Sequence, residues 1–417
     1  MHAIGGIILA VVTTFALSLR RPGAAFGLVV CIYALTQWGQ SESPLIAGHR
    51  NLVYMAAAAV LLTAMILPAL RGRAGSGSIL TLLVYLLLAW TAVSSIWSPY
   101  DDTLARLLSA APVVVFFMLL APRTIHDFAD LRAAWHTALG IGLPLMVIFI
   151  FTAQWADRGL LVAGEWSEQT NPLAIASWSA MLLIIAMTMQ FEPHQRFWLI
   201  ARWPMAIGAV YLIGLSQTRG QLIFAFAAAV LMLLVRGGGG YRRVVSTVLV
   251  IAVLYVTASM VLDRIGRPER WQFAALQAAV DDRLQDAGKL LHEWRGGDLR
   301  TAIVGLGYSA SFDRDIIGFY PHFVPAEALG EMGFIGAGLY TSILVLGVRH
   351  WWQLRRAVVD DPVASGLIAA LGGIVLFDFL LGLKQGTLLT QTFMLGGMIV
   401  IDRLHSAVMN RPRTVTV

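Results

Sequence analysis

The sequence predicts an all-α polytopic membrane protein with about 12 to 13 spanning helices and one large, partly helical loop outside the membrane. Three observations carry this. Hydrophobic residues make up 58% of the 417 and charged ones only 13%, where a soluble chain sits nearer half and a quarter. The apolar residues gather into blocks of about 15 to 22, the length at which a helix crosses a hydrocarbon core of roughly 30 Å. Short, polar, mostly arginine-bearing or acidic linkers separate the blocks, and in lipid the backbone must satisfy its own hydrogen bonds, which selects helices.

Taken in order, the first block, 3–19, has no basic segment before it and no small-residue cleavage site after it, so it reads as a retained helix and not a signal peptide. Blocks at 24–38, 51–70, 78–97, 104–120, 137–155, 173–190, 199–215, 219–235 and 244–262 follow, and 327–348, 363–382 and 386–401 close the bundle. The chain thus divides into helices 1–10 in 1–262, a loop in 263–326, helices 11–13 in 327–402 and a tail in 403–417. Alternate linkers carry the arginines, among them Arg20, Arg21, Arg71, Arg123, Arg196, Arg242 and Arg355, while those at 39–50, 98–103 and 156–171 are acidic and poor in Lys and Arg. Basic short loops mark the cytoplasmic side. The N-terminus is therefore expected outside and the C-terminus inside.

The net charge of +6 does not signal nucleic acid, because the basic residues are scattered between apolar blocks and not gathered on one face. The single cysteine, Cys31, lies within an apolar block, so neither an intrachain disulfide nor a thiolate metal site can form. The long loop is structured in its own right. Apolar residues recur at helical spacing among charges over Glu269–Trp294, as in an amphipathic helix on the bundle or membrane surface. Gly237–Gly240 is a flexible turn with no Gly-Lys-Ser/Thr after it, and the Gly305/Gly307 pair is a tight turn. His292 lacks the second histidine of a zinc helix. No cofactor or metal is expected.

Four groups of residues could carry chemistry. Arg219 begins the ninth block, where the helix macrodipole favours anions and not cations. It is either a snorkelling anchor or, with the free N–H groups of that helix end, a diphosphate ligand. His322 sits between Pro321 and Pro325 and is either an interfacial histidine bonded to backbone or a base for a sugar hydroxyl. Glu327 and Glu331, four apart on one helix face, could orient it, or Glu327 could be a first-turn acid. Arg264, Arg267 and Arg270 open the long loop and could bind lipid headgroups or a diphosphate.

The order of these elements resembles the bacterial O-antigen ligase and O-antigen polymerase superfamily. The likeness rests on Thr218-Arg219-Gly220 at the outer end of a helix, a large outer loop with Gly305 and Gly307, Pro321-His322, then Glu331, Gly333 and Gly336. Ser94–Asp102 and the Asn171-Pro172 pair add weaker support. The resemblance implies a fold like that of GT-C-type glycosyltransferases and a metal-independent, inverting glycosyl transfer at the periplasmic face. Its donor would be a glycan on undecaprenyl diphosphate and its acceptor a glycan or a lipid A core. Arg219 would hold the diphosphate with Arg270, or with Arg267 or Arg264, and His322 would be the base. Phe323 stands where that family commonly has asparagine. The alternative class is a lipid-linked oligosaccharide flippase or other transporter, for which Asp378, deep in an apolar block, is the clearest buried acid.

Overall fold

A computed structural model describes residues 2–70, 78–236 and 272–409, with isolated positions between 248 and 259. The chain is an all-α polytopic bundle with one small sheet. In order it runs through α1 (His2–Ser18), α2 (Ala24–Glu42), α3 (Pro44–Gly48), α4 (Asn51–Leu70), α5 (Ile79–Ser94), α6 (Thr103–Val114) and α7 (Phe128–Phe151). After the sheet come α8 (Pro172–Thr188), α9 (Arg196–Leu215), α10 (Arg219–Val235), α11 (Phe273–Gly296), α12 (Leu299–Val304), α13 (Val324–Gly330), α14 (Gly333–Ala357), α15 (Pro362–Gly382) and α16 (Thr392–Met409).

Among the described residues, seven helices are long and apolar enough to cross a membrane, and α1, α8 and α10 are apolar but shorter. Each of those three has 17 residues, a length of about 25 Å. The count is lower than the block count for a physical reason in α8. That helix is buried along nearly its whole length from Ile175 to Thr188 and packs against α2, α9, α10 and α15. A helix apolar all round belongs inside a bundle, where protein and not lipid sets its length. The tenth block, 244–262, and the basic stretches 71–77, 237–247 and 410–417 lie outside the described residues, apart from a few single positions.

Three features differ from the sequence reading. The acidic linker after α7 forms a three-stranded antiparallel sheet, β1 (Trp155–Ala156), β2 (Gly159–Val162) and β3 (Glu165–Gln169), whose strands are too short to show an alternating pattern. The Ala163 N–H donates to the Gln40 carbonyl at 2.9 Å and ties the sheet to the end of α2. The block at 327–348 is two helices, because the chain breaks at Glu331–Met332 and Gly333 takes φ +64°. Finally, α6 runs on through a π turn, Val115–Leu120, and a 3-10 turn, Ala121–Thr124. The amphipathic helix of the long loop is α11. It buries Ala287, Leu290 and Trp294 and packs on α12 and α13, where Gly330 leaves the space that Leu290 fills.

Candidate active site

The Gly305/Gly307 turn is the keystone of the long loop. Both glycines have positive φ, +82° and +102°, which side chains other than glycine's adopt only under strain. A Cβ on Gly305 would overlap the Glu331 carbonyl, and one on Gly307 would overlap the backbone of Ser98. The turn is laced to the break between α13 and α14: Leu306 N–H donates to the Gly330 carbonyl at 2.9 Å and Gly307 N–H to the Glu331 carbonyl at 2.8 Å. From the other side, the Trp97 indole donates to the Gly305 carbonyl at 3.2 Å. The Ser94–Asp102 segment therefore serves as a cradle for the turn.

The two glutamates complete this scaffold. Glu331 accepts from Ser309 N–H (2.7 Å), Ser311 N–H (3.1 Å) and Ser311 Oγ (2.6 Å). Glu327 accepts from Leu388 N–H at 2.9 Å, in the turn between α15 and α16. Both are fully enclosed, at 2% and 1% exposure, and both precede α14. Burial pushes both carboxyls up. Glu327 rises well above the usual range, because the Glu331 charge adds to burial and one N–H opposes them. Three donors hold Glu331 to about 7. With three donors against one, Glu331 is the better-stabilised anion of the pair, which favours the proton on Glu327.

Between the turn and α13, the strand of loop from Gly318 carries His322 with φ +55°. Left-handed backbone at a non-glycine residue costs energy and concentrates at functional sites. Tyr320 packs against the imidazole with ring centroids 4.1 Å apart, and Nδ1 is buried without a hydrogen-bond partner. The ring lines a cavity of about 490 Å³. Into the same cavity project Arg158 from the β1–β2 turn, Arg219 at the start of α10, Arg283 from α11 and Lys384 from the loop after α15. Among the described residues no acid lines it. Thr218 Oγ1 at its wall and both amide atoms of Gln221, two residues along α10 from Arg219, are also buried without partners.

The charges in this cavity act on one another. Burial first, then Arg283, Arg219 and Arg158, lower Lys384 from 10.5 to about 8. Burial, then Arg283 and Lys384, hold His322 below its ordinary value, and Asp286 only partly offsets them. The imidazole is therefore neutral near pH 7 and able to take a proton. Gly220 has a steric role, since a Cβ there would collide with the Lys384 side chain. The arrangement is a box of cations, built to accept concentrated negative charge, with a proton acceptor in its wall.

Arg219 and His322, more than 100 residues apart in sequence, thus line one cavity. Arg264, Arg267 and Arg270 lie outside the described residues, and the long loop reaches the cavity through Arg283. Among the described residues neither glutamate hydrogen-bonds His322, so the expectation that one of them orients the ring gives way. Their oxygens face the backbone of the Ser309–Ser311 and Leu388 turns. Asp378 accepts from the Met394 N–H at 2.7 Å and so caps the start of α16. Sequence reading missed Arg158, Arg283 and Lys384. Arg158 and Lys384 did carry a signal, since both are basic residues in linkers that the charge alternation assigns to the acidic side.

No protein-family model matches the chain, and no curated protein matches it in sequence. Among solved structures the chain is similar to one described as "Structural coordination of polymerization and crosslinking by a peptidoglycan synthase complex". The TM-score is 0.43 and the identity 16%, over 80% of this chain and 98% of that one. A likeness of that size establishes no shared chemistry.

Proposed function

We propose that the protein is a glycosyltransferase of the outer face of a bacterial inner membrane. It transfers or polymerises a glycan carried on undecaprenyl diphosphate, with inversion and without a metal. The observation that carries this is the shared cavity of Arg158, Arg219, Arg283, Lys384 and His322. In this reading the diphosphate of the donor sits among the four cations. The acceptor hydroxyl, on a second lipid-linked glycan or a lipid A core, attacks the anomeric carbon from the face opposite the diphosphate. His322 takes the hydroxyl proton as the new C–O bond forms. The bond to the diphosphate breaks, and its electron pair leaves on a phosphate oxygen that the guanidinium and ammonium groups stabilise. The leaving group is already a good one, so positioning and charge stabilisation supply most of what is needed.

The test is turnover of undecaprenyl-diphosphate-linked glycan by purified protein in nanodiscs. His322→Ala is expected to lower the rate by about 10² or more, the usual worth of a general base, while membrane insertion persists. Arg219→Ala is expected to weaken donor binding more than Arg219→Lys, which loses the fork but keeps the charge. Full activity in His322→Ala sinks the assignment.

A further inference from the structure

The cationic cavity has neighbours. Leu173, Tyr320 and Gln385 also wall a second cavity of about 340 Å³. That one shares Tyr33, Asn171 and Ala174 as wall residues with a third, of about 1250 Å³. The first turn of α8, capped by Asn171 through a 2.9 Å bond to the Leu173 N–H, therefore borders all three. The Asn171-Pro172 pair that opens this helix is thus placed at the junction of the series.

The third cavity has a different chemistry from the first. Its wall, between α2, α4, α6 and the sheet, carries the amides of Gln37, Gln40, Asn51 and Gln169. Gln37 is 9% exposed and its Oε1 is buried with no hydrogen-bond partner. Charged residues there, Arg50, Glu165 and Glu168, are exposed and of both signs. An amide presents a donor and an acceptor side by side, which suits vicinal sugar hydroxyls and suits a diphosphate poorly. Tyr33 and Tyr54 meet edge to face, with centroids 6.3 Å apart, and offer the amphipathic ring surface on which a sugar's apolar face can rest.

We infer that the amide-lined cavity binds the hydroxyl-bearing end of the acceptor oligosaccharide, and that the passage beside Asn171 and Ala174 delivers it to His322. The inference rests on the proposed glycosyl transfer for its direction, but the binding itself can be measured without turnover. The probe is the host's own surface glycan, freed of lipid, observed by saturation-transfer NMR on the protein in nanodiscs. The wild type is expected to saturate the glycan protons. Ala174→Trp, which fills the junction, and the nearly isosteric Gln37→Leu are each expected to lower the signal, with acceptor KM rising about tenfold in Gln37→Leu for one lost buried hydrogen bond. Undecaprenyl diphosphate binding, unchanged within about twofold in both variants, shows that they are folded. A wild type without a signal, or a signal and acceptor KM untouched in both variants, overturns the acceptor cavity while leaving the cationic site standing. Absence of wild-type turnover beside a positive NMR signal instead strikes at the proposed reaction.

Discussion

Replacing Lys384 by methionine is expected to stabilise the empty protein and weaken it as a binder of diphosphate. A fall from 10.5 to about 8 corresponds to at most about 3.5 kcal/mol of unfavourable interaction with the ammonium form, at about 1.4 kcal/mol per pH unit. The side chain is partly exposed, so about 1 to 2 kcal/mol is the fairer figure. The sign follows from proton binding. The folded state holds its lysine proton less tightly than the unfolded state, so in the wild type the penalty is full below pH 8 and fades between about 8 and 10.5. Lys384→Met should remove that pH dependence and raise the unfolding temperature at pH 7. An anion in the cavity reverses the effect by restoring the proton. At pH 8.5 a lysine of pKa near 8 is about one quarter charged, so binding of a doubly charged prenyl diphospho-sugar should take up about 0.7 proton. Calorimetry in two buffers of different ionisation enthalpy reads this number directly, and it should vanish in Lys384→Met. No proton uptake in the wild type, or equal uptake in the variant, refutes the placing of Lys384 at the diphosphate.

Two other outcomes can be checked. The donor kcat/KM, which reports the free protein, should follow a bell in pH: it should rise through the lowered value of His322, below the 6.5 of a free imidazole, as the base loses its proton, and fall above about 8 as Lys384 loses its charge. An acid limb centred above 6.5 would contradict a cation-depressed base. The glutamates should separate in thermal unfolding. Glu331→Gln offers an amide group to three donors and should cost about 1 to 3 kcal/mol, whereas Glu327→Gln mimics a carboxyl that already keeps its proton and should cost less than half of that. The reverse order would contradict the assignment of the proton.

The bundle was legible because lipid imposes a length on apolar segments and little else competes with it. What escaped were features set by contact between distant parts of the chain. The sheet at 155–169 is held by the end of α2 through Gln40, a partner no local pattern reveals. Glu327 and Glu331 do share a helix face as their spacing required, yet their partners come from 22 residues earlier and 61 residues later in the chain. Arg219 and His322 stood out because each breaks a local rule, a cation at a helix start and a histidine framed by prolines. Arg283 broke none. On an amphipathic helix a charged residue is ordinary, and only the docking of α11 on α13 turns it toward the others.

The loop that carries His322 is tied down at both ends by one short helix. Its start is gripped at Ser309 and Ser311 by Glu331, and its end, at Phe323, leads directly into α13, to which Glu331 is the cap. Such a closed strap can bow but cannot slide, so His322 holds a fixed station relative to α13. A chain that lengthens at this site would have to travel past the histidine one sugar at a time, as cloth moves under a needle.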